Sequence, residues 1–124
     1  MHIKESAENY LEAIYMIKKN KGSVRSIDVA KELGFSKPSV SVAVKNFVAE
    51  GLVELKEDGT LALTKKGEKI AKSVYERHEL IAKLLITLGV SEETAYEDSC
   101  KIEHNLSEET FSAIKNFYET YKKD

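Results

Sequence analysis

The chain has 124 residues, 42% hydrophobic and 32% charged, with a formal net charge of −2. This composition excludes a disordered chain and suits one globular unit or two small halves sharing a core. It also excludes a uniformly cationic nucleic-acid binder, so any contact with phosphates has to be local.

Apolar spacing predicts a first helix over Ser6–Lys19, capped by Ser6. Tyr10, Ile14 and Ile17 form its stripe, joined by Leu11 and Tyr15 at i, i+3, i+4 and i+7. Gly22 ends it. A short second helix follows over Ser26–Leu33, with Ile27, Ala30 and Leu33 facing inward. Gly34 permits a left-handed turn and Phe35 anchors it. Ser36 then caps a third helix that tolerates Pro38 in its first turn and runs to about Glu50. Val40, Val44, Phe47 and Val48 are its expected core stripe, and Gly51 stops it. Two alternating runs, 52–56 and 60–63, flank Glu57-Asp58-Gly59, a strong hairpin signal. A long helix extends from Thr64 to about Leu88, and Gly89 breaks it. Ser91 caps a fifth helix ending near Leu106, and Ser107 caps a sixth reaching about Lys122. The expected fold is mainly α: a winged helix-turn-helix domain over 1–70, then a helical domain over 71–124.

The two halves differ in charge. Residues 1–70 carry 12 Lys/Arg against 10 Asp/Glu, a net of +2, and residues 71–124 carry 7 against 11, a net of −4. The single cysteine, Cys100, excludes an intramolecular disulfide and fits a reducing compartment. No run approaches the roughly 20 apolar residues that cross a bilayer. The expectation is a cytoplasmic protein with no membrane partner.

Helix, glycine turn, helix and hairpin follow the order of a winged helix-turn-helix. There the second helix of the pair enters the major groove, while the wing and the preceding helix touch phosphates. The outward residues of the third helix are Ser36, Lys37, Pro38, Ser39, Ser41 and Val42, with Lys45 a turn further on. Small hydroxyls let the backbone approach DNA closely. Lys37 and Lys45 suit phosphates, as does Arg25 at the start of the second helix; Lys56, Lys65 and Lys66 flank the wing. A solvated polar face on a helical hairpin is the plainer reading of the same pattern.

Cys100, Glu103 and His104 fall at i, i+3 and i+4 on the fifth helix, sharing one face. Thiolate, carboxylate and imidazole are all transition-metal ligands. His78 on the fourth helix adds a second imidazole, and Asn9 with Glu12 on the first forms an oxygen-bearing pair. Taken singly, each has a bland reading; Cys100 alone reads as a small buried hydrophobe. The spacing is also that of a His-x-x-Glu-His zinc hydrolase with Cys in first place. A Cys/His nucleophile pair is a further alternative. Neither has a substrate-binding or oxyanion segment elsewhere in the chain, so the reading is not an enzyme.

Five blocks resemble one family: Ser-Ala-Glu-Asn-Tyr-Leu-Glu-Ala-Ile-Tyr at 6–15, Ser-Lys-Pro-Ser-Val-Ser at 36–41, Leu-Thr-Lys-Lys-Gly at 63–67, Arg-His-Glu-Leu at 77–80 and Cys-Lys-Ile-Glu-His-Asn-Leu-Ser at 100–107. In order and spacing they are similar to the diphtheria toxin repressor and manganese transport regulator family. The resemblance implies a metal-activated homodimeric repressor of metal-uptake genes that binds double-stranded operator DNA. It implies a DNA-binding domain followed by a helical dimerisation and metal-binding domain, without the SH3-like domain of larger members. It places Glu12, His78, Glu103 and His104 on ligand positions of the manganese type. Asn9 stands where manganese regulators have Asp and iron regulators Met; Cys100 stands where manganese regulators have Glu and iron regulators Cys. Of the second site of iron regulators only His78 is kept, with Ala82 and Tyr96 at its other positions. Val42 replaces a base-contacting Gln of iron regulators. A single site with a thiolate favours Fe(II) over Mn(II), with Co(II) and Zn(II) open. A metal-independent winged-helix regulator is the competing reading.

Overall fold

A computed structural model describes the backbone of residues 5–123 and the side chains of residues 7–121. In chain order it contains α1 (Glu5–Lys21), α2 (Ser26–Leu33), α3 (Lys37–Ala49), β1 (Val53–Leu55), β2 (Leu61–Leu63), α4 (Lys65–Thr87), α5 (Glu92–Glu103) and α6 (Glu108–Lys123). The protein is mainly helical, and packing divides it into two units, Met1–Ser73 and Val74–Asp124.

The first unit is built on α1. The helix is already formed at Glu5, so Ser6 lies inside it rather than ahead of it; the side chain expected to cap it lies outside the described residues. Tyr10, Leu11, Ala13, Ile14 and Ile17 enter one apolar cluster with Val24, Val29, Ala30, Val40, Val44, Phe47, Leu52, Val53, Leu61 and Ala71. The Tyr10 ring lies 5.5 Å from both Phe35 and Phe47, so Phe35 braces the turn although it is 44% exposed. Burial holds the Tyr10 hydroxyl above its usual pKa.

At the start of α2 the Asp28 carboxylate accepts from the Arg25 N–H at 2.9 Å and from Lys21 Nζ at 3.1 Å. These two bonds hold its carboxyl below the usual carboxylate range, the backbone bond contributing most. Gly34, at φ 71, closes α2 in the left-handed conformation its neighbours would resist. Ser36 caps α3, accepting from the Ser39 N–H at 3.3 Å. Two core expectations are corrected. In α2 Val29 is buried together with the expected Ala30, whereas Ile27 and Leu33 are only half-buried. In α3 Val48 is 42% exposed: it sits roughly 80° around the helix from Val40, beyond the stripe of Val40, Val44 and Phe47.

The wing pairs antiparallel, Val53 with Leu63, Glu54 with Ala62 and Leu55 with Leu61. It is the only sheet among the described residues and is shorter than the alternation predicts. Its turn is fixed by Asp58, which accepts from the N–H and hydroxyl of Thr60 at 2.9 and 2.6 Å; both bonds hold that carboxyl low. At the base of the wing, Thr64 donates its hydroxyl to Gly51 O at 2.6 Å and accepts from the Gly67 N–H at 3.1 Å. Gly67 is packed directly on backbone: a Cβ there would collide with Leu52 O.

The second unit comprises the rest of α4 with α5 and α6. Ser91 and Ser107 cap α5 and α6 through the N–H groups of Thr94 at 3.4 Å and Thr110 at 3.1 Å. α5 ends at Glu103 rather than near Leu106, and His104 is its C-cap at φ −70, ψ −19. Val74, Ile81, Ala82, Ala95, Ser99 and Glu103 are buried, whereas Leu88, Phe117 and Tyr121 are 71%, 64% and 57% exposed. Among the described residues no helix is long and apolar enough to cross a membrane.

Candidate metal centre and nucleic-acid interface

Lys37, Pro38, Ser39, Ser41, Val42 and Lys45 are all exposed on α3. Positions 38, 41, 42 and 45 recur at i, i+3, i+4 and i+7 and share one face, opposite the core stripe. Val42, 60% exposed, is an apolar residue held in water on that face. The Ser36 hydroxyl is engaged at the helix start, donating to Ser39 Oγ at 2.8 Å. The Ser39 hydroxyl, an acceptor there, still has a proton to donate outward. Between the starts of α2 and α3 a shallow cavity of about 400 Å³ is lined by Ser26, Ile27, Lys37, Pro38 and Ser41.

Arg25 has a part that its position in the sequence did not reveal. Its backbone bridges Thr60, and a Cβ on Gly59 would stand 2.6 Å from its Nη1. The guanidinium therefore lies against the wing turn and adds to the field on Asp58. This basic side chain braces the wing against the start of α2. The signal for it was the Asp-Gly turn itself, which leaves room for a side chain where any other residue would project a Cβ.

The sequence-predicted metal ligands lie in both units. In the first, Asn9 and Glu12 are half-buried on α1 at i and i+3, and Glu8 is half-buried one turn before Glu12. In the second, Glu103 Oε1 and His104 Nε2 are 3.0 Å apart, with both side chains only 1% exposed. Cys100 is half-buried one turn earlier on α5. His78 Nε2 lies 3.1 Å from Tyr96 O. A carbonyl can only accept, so Nε2 carries the ring proton and Nδ1 is the nitrogen with the lone pair. That is how a ligating histidine is commonly oriented, its second nitrogen donating to a backbone carbonyl. Tyr96 O also accepts from Ser99 Oγ at 3.0 Å, and the Tyr96 hydroxyl donates to Glu79 Oε2 at 3.0 Å. The bond to Glu79 and burial raise the phenol pKa. Ala82, fully buried, carries no donor atom in its side chain, and the Tyr96 hydroxyl is tied to Glu79.

A buried imidazole touching a buried carboxylate, a thiol one turn away and a histidine of fixed tautomer fit a transition-metal ion. The one important residue that the sequence left unassigned is Arg77. It falls three residues after Val74 and four before Ile81, on the buried stripe of α4, where a charge signals an internal partner.

The fold and these two sites define a class: a winged-helix DNA-binding module joined to a helical module equipped for metal binding. The chain matches the description "Iron dependent repressor, N-terminal DNA binding domain" over residues 2–61 and "Iron dependent repressor, metal binding and dimerisation domain" over residues 64–124. It is 37% identical over 116 residues to the transcriptional regulator MntR of Escherichia coli O6:H1, covering 94% of this chain and 75% of the relative. It is 35% identical over 119 residues to the HTH-type transcriptional regulator MntR of Bacillus subtilis, covering 96% and 84%. Among solved structures, the manganese regulator SloR superposes with a TM-score of 0.78 at 28% identity, over 96% of this chain and 55% of SloR, so the chain spans about half of SloR's length. The protein belongs to the iron-dependent repressor family, that of the diphtheria toxin repressor and MntR. It is a metal-dependent transcriptional regulator of that family, not an enzyme.

Proposed function

We propose that the protein is a homodimeric repressor of metal-uptake genes, activated by one divalent transition metal per subunit, with Fe(II) favoured over Mn(II). The observation that carries the metal reading is the buried Glu103–His104 pair. Two good ligand atoms stand 3.0 Å apart out of water, where a carboxylate and an imidazole are costly to keep without an ion or a well-made hydrogen bond. The proposed ligands are Asn9 and Glu12 from α1, His78 from α4, and Cys100, Glu103 and His104 from the end of α5. Metal binding would hold the paired DNA-binding heads at a spacing near one turn of DNA, about 34 Å.

Two features support Fe(II). Cys100 offers a soft thiolate, and Asn9 offers a neutral oxygen where a harder ion gains more from a carboxylate. Co(II) and Zn(II) suit the same donors. Mn(II) is the second reading, favoured by the Glu12 and Glu103 carboxylates and by likeness to the manganese regulator SloR. DNA contact is assigned to residues 1–70 through Arg25, Ser36, Lys37, Pro38, Ser39, Ser41, Val42 and Lys45. Metal binding and dimerisation are assigned to residues 71–124. A cytoplasmic location goes with this role.

Calorimetric titration with Mn(II), Fe(II), Co(II) and Zn(II), paired with binding to DNA selected by the metal-loaded protein, tests the reading. Chelator should release the DNA. Equal affinity with and without chelator would leave a metal-independent regulator. Cys100→Asp should move the metal ranking toward Mn(II) by exchanging a soft donor for a hard one; an unmoved ranking would remove Cys100 from the site.

A further inference from the structure

Arg77 makes an unusual set of contacts within the second unit. Its Nη2 donates to Glu103 O and Leu106 O, each at 3.2 Å. Its Nε lies 4.0 Å from Glu103 Oε2, and its Nη1 3.7 Å from Glu108 Oε1. Its guanidinium carbon stands 4.9 Å from the centre of the Phe111 ring. One side chain from α4 thus touches the last turn of α5, the connection after it and the first turn of α6. The side chain is only 16% exposed.

The chemistry explains why an arginine is used. α5 ends in carbonyls with no partners in the helix, carrying the negative end of its dipole. Glu103 adds a carboxylate that is 1% exposed. A lysine ammonium could donate to the two carbonyls that Nη2 serves, but it could not also bring further nitrogens near the Glu103 and Glu108 carboxylates and present a planar face to Phe111. Glu103 is flanked on one oxygen by His104 and on the other by Arg77. Glu108 is 91% exposed, so its ion pair adds little.

We propose that Arg77 is a positioning residue: it aims the Glu103 carboxylate for metal binding and links occupancy of that site to the ordering of α6. The inference rests on the metal reading of Glu103 and His104. α6 presents Phe117 and Tyr121 to solvent as a stacked pair with ring centres 6.3 Å apart, so the proposed link runs from a metal ligand to an apolar helix face. Such a link acts in both directions, since whatever orders α6 must also favour the ion.

The full-length protein with Arg77→Met and Arg77→Lys tests this, with Mn(II) and Co(II) as probes. Three quantities are read: the apo unfolding midpoint, metal affinity by calorimetry, and amide hydrogen exchange over residues 108–118 with and without Mn(II). In the wild type, metal should slow exchange in the first turns of α6. Arg77→Met should lower metal affinity at least tenfold and remove that protection. Arg77→Lys, which keeps a charge beside Glu103 but not the fork, should recover most of the affinity and apo stability while α6 stays unprotected by metal. If Arg77→Met does not fold, the lysine variant alone decides the link. Unchanged affinity in a folded Arg77→Met protein, or wild-type protection of α6 in Arg77→Lys, overturns the proposal. A wild-type protein that binds neither ion overturns the metal reading itself, before any variant is compared.

Discussion

The two units bury different things. In the first, side chains from α1, α2, α3, the wing and the start of α4 form a continuous apolar cluster, with Leu11, Val24, Val29 and Val40 fully enclosed. In the second, the described buried side chains are Val74, Ile81, Ala82, Ala95, Ser99 and Glu103, four of the six small or polar, while Leu88, Phe117 and Tyr121 face water. Apolar burial drives folding, so the first unit carries its own stabilisation. The second places its large apolar groups where another surface can cover them and a buried acid where an ion can use it. One half is built to hold a shape and the other to respond to what it binds.

Substitutions aimed at each half sharpen this contrast. The largest effect is expected from Leu11→Ala, which empties a fully buried site in the first unit; chemical denaturation should show a loss of about 2–5 kcal/mol. A loss below 1 kcal/mol would mean that the α1 core matters less than its burial implies. Next comes His104→Ala in the second unit. It should lower metal affinity at least tenfold, about 1.4 kcal/mol by titration, with the apo protein still folded. Unchanged affinity would remove His104 from the site. The smallest of the three is Ser36→Ala, which removes the cap of α3 and should cost about 1 kcal/mol. Its effect should appear in folding stability and as weaker binding to all DNA sequences alike, leaving metal affinity untouched. A change in sequence preference would instead make Ser36 a reader of bases.

Much of the first unit was legible because its signals are local. Gly34 and Ser36 mark the turn between the two helices, and Asp58-Gly59 marks the hairpin. The period of Tyr10, Ile14 and Ile17 fixes the inward face of α1. Val48 was misread because a valine at the edge of an apolar stripe looks the same in sequence as one at its centre. In the second unit, the end of α5 was placed too late because its last carbonyl, Glu103 O, accepts from Arg77, on a helix more than twenty residues earlier. The spacing of Cys100, Glu103 and His104 put three donor types on one face, but spacing alone cannot show that the Glu103 carboxylate is buried. That follows from Glu103 continuing the stripe of Ala95 and Ser99 at i+4 and i+8, a pattern that small residues disguise. The wing-bracing position of Arg25 was marked only indirectly, by the Asp-Gly turn, since it depends on the space above Gly59.

The close seat of Gly67 limits how this protein can change its target. Any side chain there would collide with the Leu52 carbonyl, and Leu52 lies between the last turn of α3 and the first strand of the wing. Moving it would displace α3 and the wing together. Over generations, variation on the proposed nucleic-acid face is therefore channelled into exposed α3 side chains such as Ser39, Ser41 and Val42, which can be exchanged singly, while the spacing between helix and wing stays fixed. New targets can be acquired by relettering the face, and never by stretching it.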